Sequence, residues 1–180
     1  MMMKKLLALC MAAVMLLCAA TALADEITIN YDEGMDIVQV VPEGYTVDYE
    51  ILENGILSVT MLKDENSIGI AMLIAADADH DDTIKLNDLT DDEKKAFAEA
   101  LFEDLDEESW SIMTTGQGTE AVVFKTTEDA YSMAMISTLY YGYDVVMYVS
   151  NPDGSELDDE DMTLAMQFLT DLSFVVKTVE

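Results

Sequence analysis

The chain has 180 residues, of which 37 are acidic and 8 are basic, so its formal net charge is −29. It contains no arginine, and because contact with nucleic-acid phosphates requires clustered lysine and arginine, a nucleic-acid partner is not expected. Hydrophobic residues make up 51% of the chain, which is too many for a disordered acidic tail. We therefore expect a folded acidic protein whose length suits one domain.

Residues 1–24 have the pattern of a secretory signal peptide. Lys4 and Lys5 precede an apolar run over residues 6–20, and Thr21-Ala22-Leu23-Ala24 supplies a small-x-small cleavage site. We predict cleavage after this site, a single domain over residues 25–180, and secretion to the exterior or the cell surface with no membrane span left. The alternative is an uncleaved segment that is retained as an anchor.

The position of the predicted cleavage site separates the cysteines from the acidic residues. Cys10 and Cys18 both lie before it, whereas every Asp and Glu lies after it. The predicted mature chain therefore has no disulfide, no thiolate nucleophile and no thiolate-bound metal. Its negative charge would keep it soluble and would attract cations.

Most of the remaining sequence alternates between apolar and polar residues, which predicts β-strands. Strands outnumber helices by roughly eight to two, and turn-length connections such as Asn54-Gly55 indicate antiparallel pairing. The segment Tyr45–Leu52 places Tyr45, Val47, Tyr49 and Ile51 on one face, and residues 67–76 are apolar on both faces, as in an interior strand.

Two segments have helical spacing. Thr90-Asp91-Asp92-Glu93 is a capping-box sequence that predicts a helix start, followed by Phe97, Ala100, Leu101 and Leu105 as its apolar stripe. A second helix is predicted over residues 158–172, and its buried stripe comprises Met162, Ala165, Met166, Leu169 and Leu172. We predict an α+β sandwich, an antiparallel sheet of about six to eight strands covered by the two helices.

The order of these segments resembles that of PsbP-like domains. Val41-Pro42-Glu43-Gly44-Tyr45 is similar to the entry motif of those domains, and hairpins, a helix, strands with Gly142-Tyr143 and a final helix follow in the same order. The resemblance implies an α/β/α sandwich with a role in binding or assembly, and it implies no catalytic residue.

One acidic segment resembles the calcium loop of EF-hands and, more closely, of dockerin modules. Asp77, Asp79 and Asp81 hold its first, third and fifth positions, the Thr83 carbonyl holds the seventh, and Asp88 holds the last. Calcium takes about six to eight oxygen ligands, and alternate carboxylates in a curled loop can supply several of them. The segment therefore predicts a calcium site, and the alternative is a solvated acidic turn that leads into a capped helix.

Tyr140, Tyr141 and Tyr143 lie together at the turn between the last two long strands. An exposed group of this kind could bind a sugar ring or an extracellular protein, whereas a structural role is the other interpretation. The only histidine, His80, lies in the acidic loop, and no nucleophile, metal-protease or phosphate-loop motif accompanies it.

The leading hypothesis is a secreted, non-catalytic binding or assembly domain. The first alternative is an extracellular module that binds calcium or is stabilised by it. The second is a small hydrolase that uses a carboxylate pair such as Glu107-Glu108, which the abundance of acidic residues makes uninformative. The sequence specifies neither the ligand nor the oligomeric state.

Overall fold

The computed structural model describes residues 25–64, 67–76, 84–101, 110–128 and 131–177. These residues form ten strands and two helices. In chain order the strands are β1 (Asp25–Asn30), β2 (Met35–Val41), β3 (Thr46–Ile51), β4 (Leu57–Leu62), β5 (Gly69–Ala76), β6 (Trp110–Thr114), β7 (Glu120–Glu128), β8 (Tyr131–Tyr140), β9 (Tyr143–Ser150) and β10 (Leu172–Val176). The helices are α1 (Asp91–Leu101) and α2 (Asp159–Thr170), and a 3-10 turn at Leu86–Asp88 precedes α1.

The strands form two sheets in which all neighbours are antiparallel. The small sheet has three strands in the order β1-β2-β10, and the large sheet has seven in the order β3-β4-β5-β9-β8-β7-β6. Side chains alternate across the large sheet, so that Leu57, Val59 and Met61 of β4 are buried on one face, here called the inner face. The opposite face is called the outer face.

The main core lies between the inner face of the large sheet, the small sheet and α2. Ile29 and Ile37 of the small sheet and Phe168 of α2 are fully buried there against the inner-face side chains. All five residues predicted as the buried stripe of the second helix are buried, although the last of them lies in β10. The predicted stripe is thus confirmed, because apolar residues at helical spacing must face the sheet.

A second, smaller core lies on the outer face, where α1 packs over β7 and β8. Ala98 of α1 is buried with Val122 and Leu139, and Phe97 and Leu101 pack around them. Ala100, which the sequence placed in the apolar stripe, is exposed instead. Leu105 lies outside the described residues.

The α+β class and the predominance of antiparallel strands are confirmed. The prediction of one sheet covered by two helices is only loosely met, because three strands form a sheet of their own that shares the inner face with α2. This arrangement depends on the pairing of β10 with β2, more than 100 residues earlier in the chain. Local periodicity contains no information about such long-range pairing.

The local signals at turns and helix starts are realised as predicted. Gly55 has φ of +82° in the turn between β3 and β4, and the Glu93 backbone amide donates to the Thr90 Oγ1 at 3.4 Å while the Thr90 amide donates to the Glu93 carboxylate at 2.8 Å. In the described ranges neither helix has the length and hydropathy needed to cross a membrane.

Candidate functional site

The predicted calcium loop lies mostly outside the described residues. Asp77, Asp79, Asp81 and Thr83 belong to that part of the chain, as does His80. Asp88 is described, and its Oδ2 accepts a hydrogen bond of 3.0 Å from the Lys85 backbone amide, which closes the 3-10 turn. Within the described ranges, no group of three or more His, Cys, Asp or Glu side chains is placed to hold a metal ion. The calcium site stays a prediction.

The predicted tyrosine face is an aromatic cluster in which each ring is half-buried. The Tyr143 ring stacks on Phe174 with a centroid separation of 4.9 Å and meets Tyr31 edge-on at 5.7 Å. The Tyr140 ring lies 5.3 Å from Phe174 and 4.7 Å from Tyr141. These contacts join the end of the β8–β9 hairpin to the small sheet, so the cluster has a structural role whether or not it also binds a ligand.

Tyr141 differs from its neighbours in its backbone, and it makes the shorter of two contacts between the Lys85 ammonium and a tyrosine ring, the other being with Tyr140. It has φ of +55° beside Gly142 at +76°, so both central residues of this two-residue hairpin are left-handed. The Lys85 ammonium lies 4.3 Å from the Tyr141 ring centroid, and a side-chain hydrogen bond to Tyr141 raises the pKa of Lys85. The three predicted tyrosines are therefore brought together, and ligand binding by them stays a prediction.

The edge of the large sheet at β3 is a second candidate site, and the sequence did not indicate it. β3 pairs with β4 alone in the described part of the chain, in an unbroken register from Thr46–Leu62 to Ile51–Leu57. The strand contains neither proline nor glycine, and the regular register leaves no bulge to twist the edge away from another strand.

The direction of the β3 backbone groups follows from the turn. The Leu52 amide donates to the Ile56 carbonyl at 2.8 Å, so these two residues form a hydrogen-bonded pair. Because such pairs alternate along an antiparallel ladder, the intervening residues Val47, Tyr49 and Ile51 have N–H and C=O groups that point away from β4. β3 thus presents three donors and three acceptors along the side that pairs with no other strand of the described residues, here called its open side.

The two faces of β3 differ in chemistry. Tyr49 and Ile51 point to the inner-face side and are 49% and 46% exposed. Asp48 and Glu50 point to the outer-face side, where they line a shallow depression of about 260 Å³ with Ser58 and Thr60 of β4. The edge is therefore apolar on one side and acidic on the other.

Sequence reasoning identified the alternation of β3 but not its position in the sheet. It placed Tyr49 and Ile51 on one face with Val47, which is correct for the register. Whether that face is covered depends on the strand order, and β3 is the outermost strand of the large sheet. No local pattern in residues 46–51 could have shown this.

Comparison with models of known protein families and with curated proteins finds no match to this chain.

Proposed function

We propose that this protein is a secreted, non-catalytic binding or assembly domain, and that it binds a partner protein through the β3–β4 hairpin. The observation that carries the proposal is the position of the exposed apolar side chains. Of the seven large apolar side chains that are exposed among the described residues, four lie on this hairpin: Tyr49, Ile51, Leu52 and Leu62. Tyr49 and Ile51 lie on the inner-face side and Leu62 lies on the outer-face side, so apolar side chains are exposed on both faces of the hairpin. Apolar exposure concentrated in one element of a soluble domain marks an interaction surface.

Two features of the sequence support the same function. The leader pattern of residues 1–24 directs the chain to the exterior. The resemblance to PsbP-like domains implies binding or assembly, and a fold of that type is part of the proposal. The leader indicates an extracellular partner, and the resemblance indicates a binding role. A protein is favoured over a glycan because the open backbone edge of β3 offers the alternating donors and acceptors that another strand needs.

Photo-crosslinking tests this proposal in the extracellular fraction of the cells that secrete the protein. A photoreactive phenylalanine derivative replaces Tyr49 or Leu62, and a control replaces the exposed Ala96 on α1. We expect the same partner to be captured from both hairpin positions and not from the control position. The partner is then purified and its affinity for the unlabelled protein is measured.

A variant decides whether that capture reflects function. In Tyr49→Thr, Ile51→Thr the purified partner should bind at least about tenfold more weakly, because two exposed apolar contacts are lost, while the thermal midpoint should change by less than about 4 °C. The proposal is wrong if the variant binds the partner as well as the parent protein does, or if the control position captures it equally.

A further inference from the structure

We propose that the partner contributes an extended, basic segment that adds to β3 as a further strand of the large sheet. This inference rests on the proposed function and specifies the chemistry of the partner. Lysine or arginine side chains would lie opposite Asp48 and Glu50 on the outer-face side, and apolar side chains would lie beside Tyr49 and Ile51 on the inner-face side.

The backbone of β3 supplies the main-chain part of such a complex. The outward N–H and C=O groups of Val47, Tyr49 and Ile51 can form six hydrogen bonds with an added strand. Backbone pairing of this kind provides affinity in strand addition, and the alternate side chains provide specificity. The side chains of β3 therefore determine which sequences fit.

Charge selects a basic segment. Asp48 and Glu50 take part in no ion pair within the described residues, and their depression is lined by the Ser58 and Thr60 hydroxyl groups, which can also accept hydrogen bonds. Opposite charges at facing positions of neighbouring strands stabilise pairing by about 0.2–1 kcal/mol each. The net charge of −29 would also speed the approach of a cationic partner.

The apolar side of β3 favours apolar residues at the alternate positions of the added segment. Val59 of β4 is 2% exposed and belongs to the main core, while Tyr49, which lies directly opposite it on β3, is half-exposed. The inner layer of apolar side chains thus extends one strand beyond the part that the small sheet and α2 cover. An added strand with apolar residues on this side would bury Tyr49 and Ile51.

A second copy of this chain fits the edge poorly. If two β3 strands paired antiparallel about Tyr49, Asp48 of one copy would face Glu50 of the other. Like charges directly opposite each other destabilise strand pairing, and two copies that each carry a net charge of −29 repel each other. The acidic residues therefore discourage self-association and leave the edge available to a basic strand.

The test uses a synthetic peptide of about seven residues in which lysine alternates with valine, long enough to span the six residues of β3. Its binding to the protein is followed by amide NMR and amide hydrogen exchange. We expect exchange to slow at Val47, Tyr49 and Ile51, whose amides gain partners. Exchange at Asp48 and Glu50 should change little, because their amides already face β4.

Three peptide controls separate strand addition from simple charge attraction. One has the same composition with all lysines preceding all valines, and one has the amides that would face β3 blocked by N-methylation. The third replaces lysine with glutamate. Each should bind at least about tenfold more weakly than the alternating lysine peptide.

Two protein variants separate the β3 acids from the total charge. Asp48→Asn, Glu50→Gln should weaken binding of the lysine peptide about three- to tenfold. Asp92→Asn, Glu99→Gln changes the net charge equally on α1, which packs over the opposite end of the large sheet, and should leave binding within about twofold.

The inference would be overturned if the peptide with all lysines first, or the N-methylated peptide, bound as tightly as the alternating lysine peptide. It would also be overturned if none of the peptides bound, or if both charge variants weakened binding equally. Tight binding of the glutamate peptide would overturn the basic chemistry alone. The proposed function fails separately, when crosslinking from the hairpin captures no partner whose binding depends on Tyr49 and Ile51. Protection of the three outward amides in the free protein would also overturn the inference, because it would show that another segment or a second copy already occupies the edge.

Discussion

At the scale of single residues, Lys94 is the charged residue of α1 that is buried. Only 7% of this lysine is exposed, although it lies on a helix with a strongly acidic start. Its Nζ lies 2.5 Å from the Glu120 Oε2, and the Glu120 backbone amide donates to the Asn87 Oδ1 at 3.0 Å. The ion pair fixes α1 to the β6–β7 hairpin, and the hydrogen bond fixes the preceding 3-10 turn to the same residue. The ion pair explains why a charged residue is buried here.

Replacing Lys94 tests this role. Lys94→Met keeps the apolar stem but leaves the partly buried Glu120 carboxylate without its cation, so we expect a loss of about 1–2 kcal/mol in the free energy of unfolding. Lys95→Met is the matched control, since its pair with Glu99 is exposed and spans 3.9 Å, and should cost less than about 0.5 kcal/mol. Urea unfolding measures both, and equal losses would contradict the role of Lys94.

Tyr31 gives a pH-dependent prediction. Burial raises the pKa of Tyr31, and the nearby Asp32 charge adds to the increase. The unfolded chain therefore loses this phenol proton first, at a pH of about 10. The stabilisation that the protonated Tyr31 phenol contributes to the folded state is complete below that pH and is lost as the pH rises through the pKa of the folded state. Tyr31→Phe should show a shallower alkaline decline in stability.

The measurement is urea unfolding between about pH 8 and pH 11. At the lower pH the variant should be less stable by about 0.5–1 kcal/mol, because the hydroxyl donates to the Gly55 carbonyl at 2.9 Å in the native protein. Tyr49→Phe serves as the control at an exposed position. Parallel alkaline declines in Tyr31→Phe and the parent protein would contradict the assignment.

At the scale of elements, the sequence predicts what is local and misses what depends on distant pairing. The alternation of β3, the turn at Asn54-Gly55 and the capping box at Thr90 all act within a few residues, and all are present in the structure. The separation of the small sheet and the edge position of β3 depend on which strands meet. Hydrophobic pattern alone does not encode that order.

The edge position of β3 predicts a small stability cost for Tyr49→Thr, Ile51→Thr, whereas the sequence alone, which places both residues on an apolar face, would predict a large one. Tyr49 and Ile51 share a face with core residues but are half-exposed, so Tyr49→Thr, Ile51→Thr should change the free energy of unfolding by less than about 1 kcal/mol. Met61→Ala, at a fully buried position on the adjacent strand, should cost about 2–5 kcal/mol. Chemical denaturation measures both, and a large loss in the double variant would show that the two side chains belong to the core.

At the scale of the whole molecule, charge dominates the behaviour in solution. A net charge of −29 with a pI near 4.1 implies strong self-repulsion in the folded state. Added salt should therefore raise the thermal midpoint by screening, whichever cation is used. The predicted calcium loop would add an effect that is specific to one ion.

Thermal unfolding with calcium, with magnesium and with sodium chloride at matched ionic strength separates these effects. If the dissociation constant of the loop for calcium is about a hundredfold below the calcium concentration used, the folded state gains about 2.7 kcal/mol. At this chain length the thermal midpoint then rises by roughly 5–10 °C. Asp79→Asn, Asp81→Asn should abolish the increase. Identical responses to the three salts would leave only screening and would exclude the calcium site.

The central claim is that β3 is an open edge available to another strand, and amide hydrogen exchange of the free protein tests it most directly. The amides of Val47, Tyr49 and Ile51 should exchange faster than those of Asp48 and Glu50 by about two orders of magnitude or more, because only the latter two face β4. Uniformly slow exchange along residues 46–51 would contradict the claim, since it would mean that the edge is already paired.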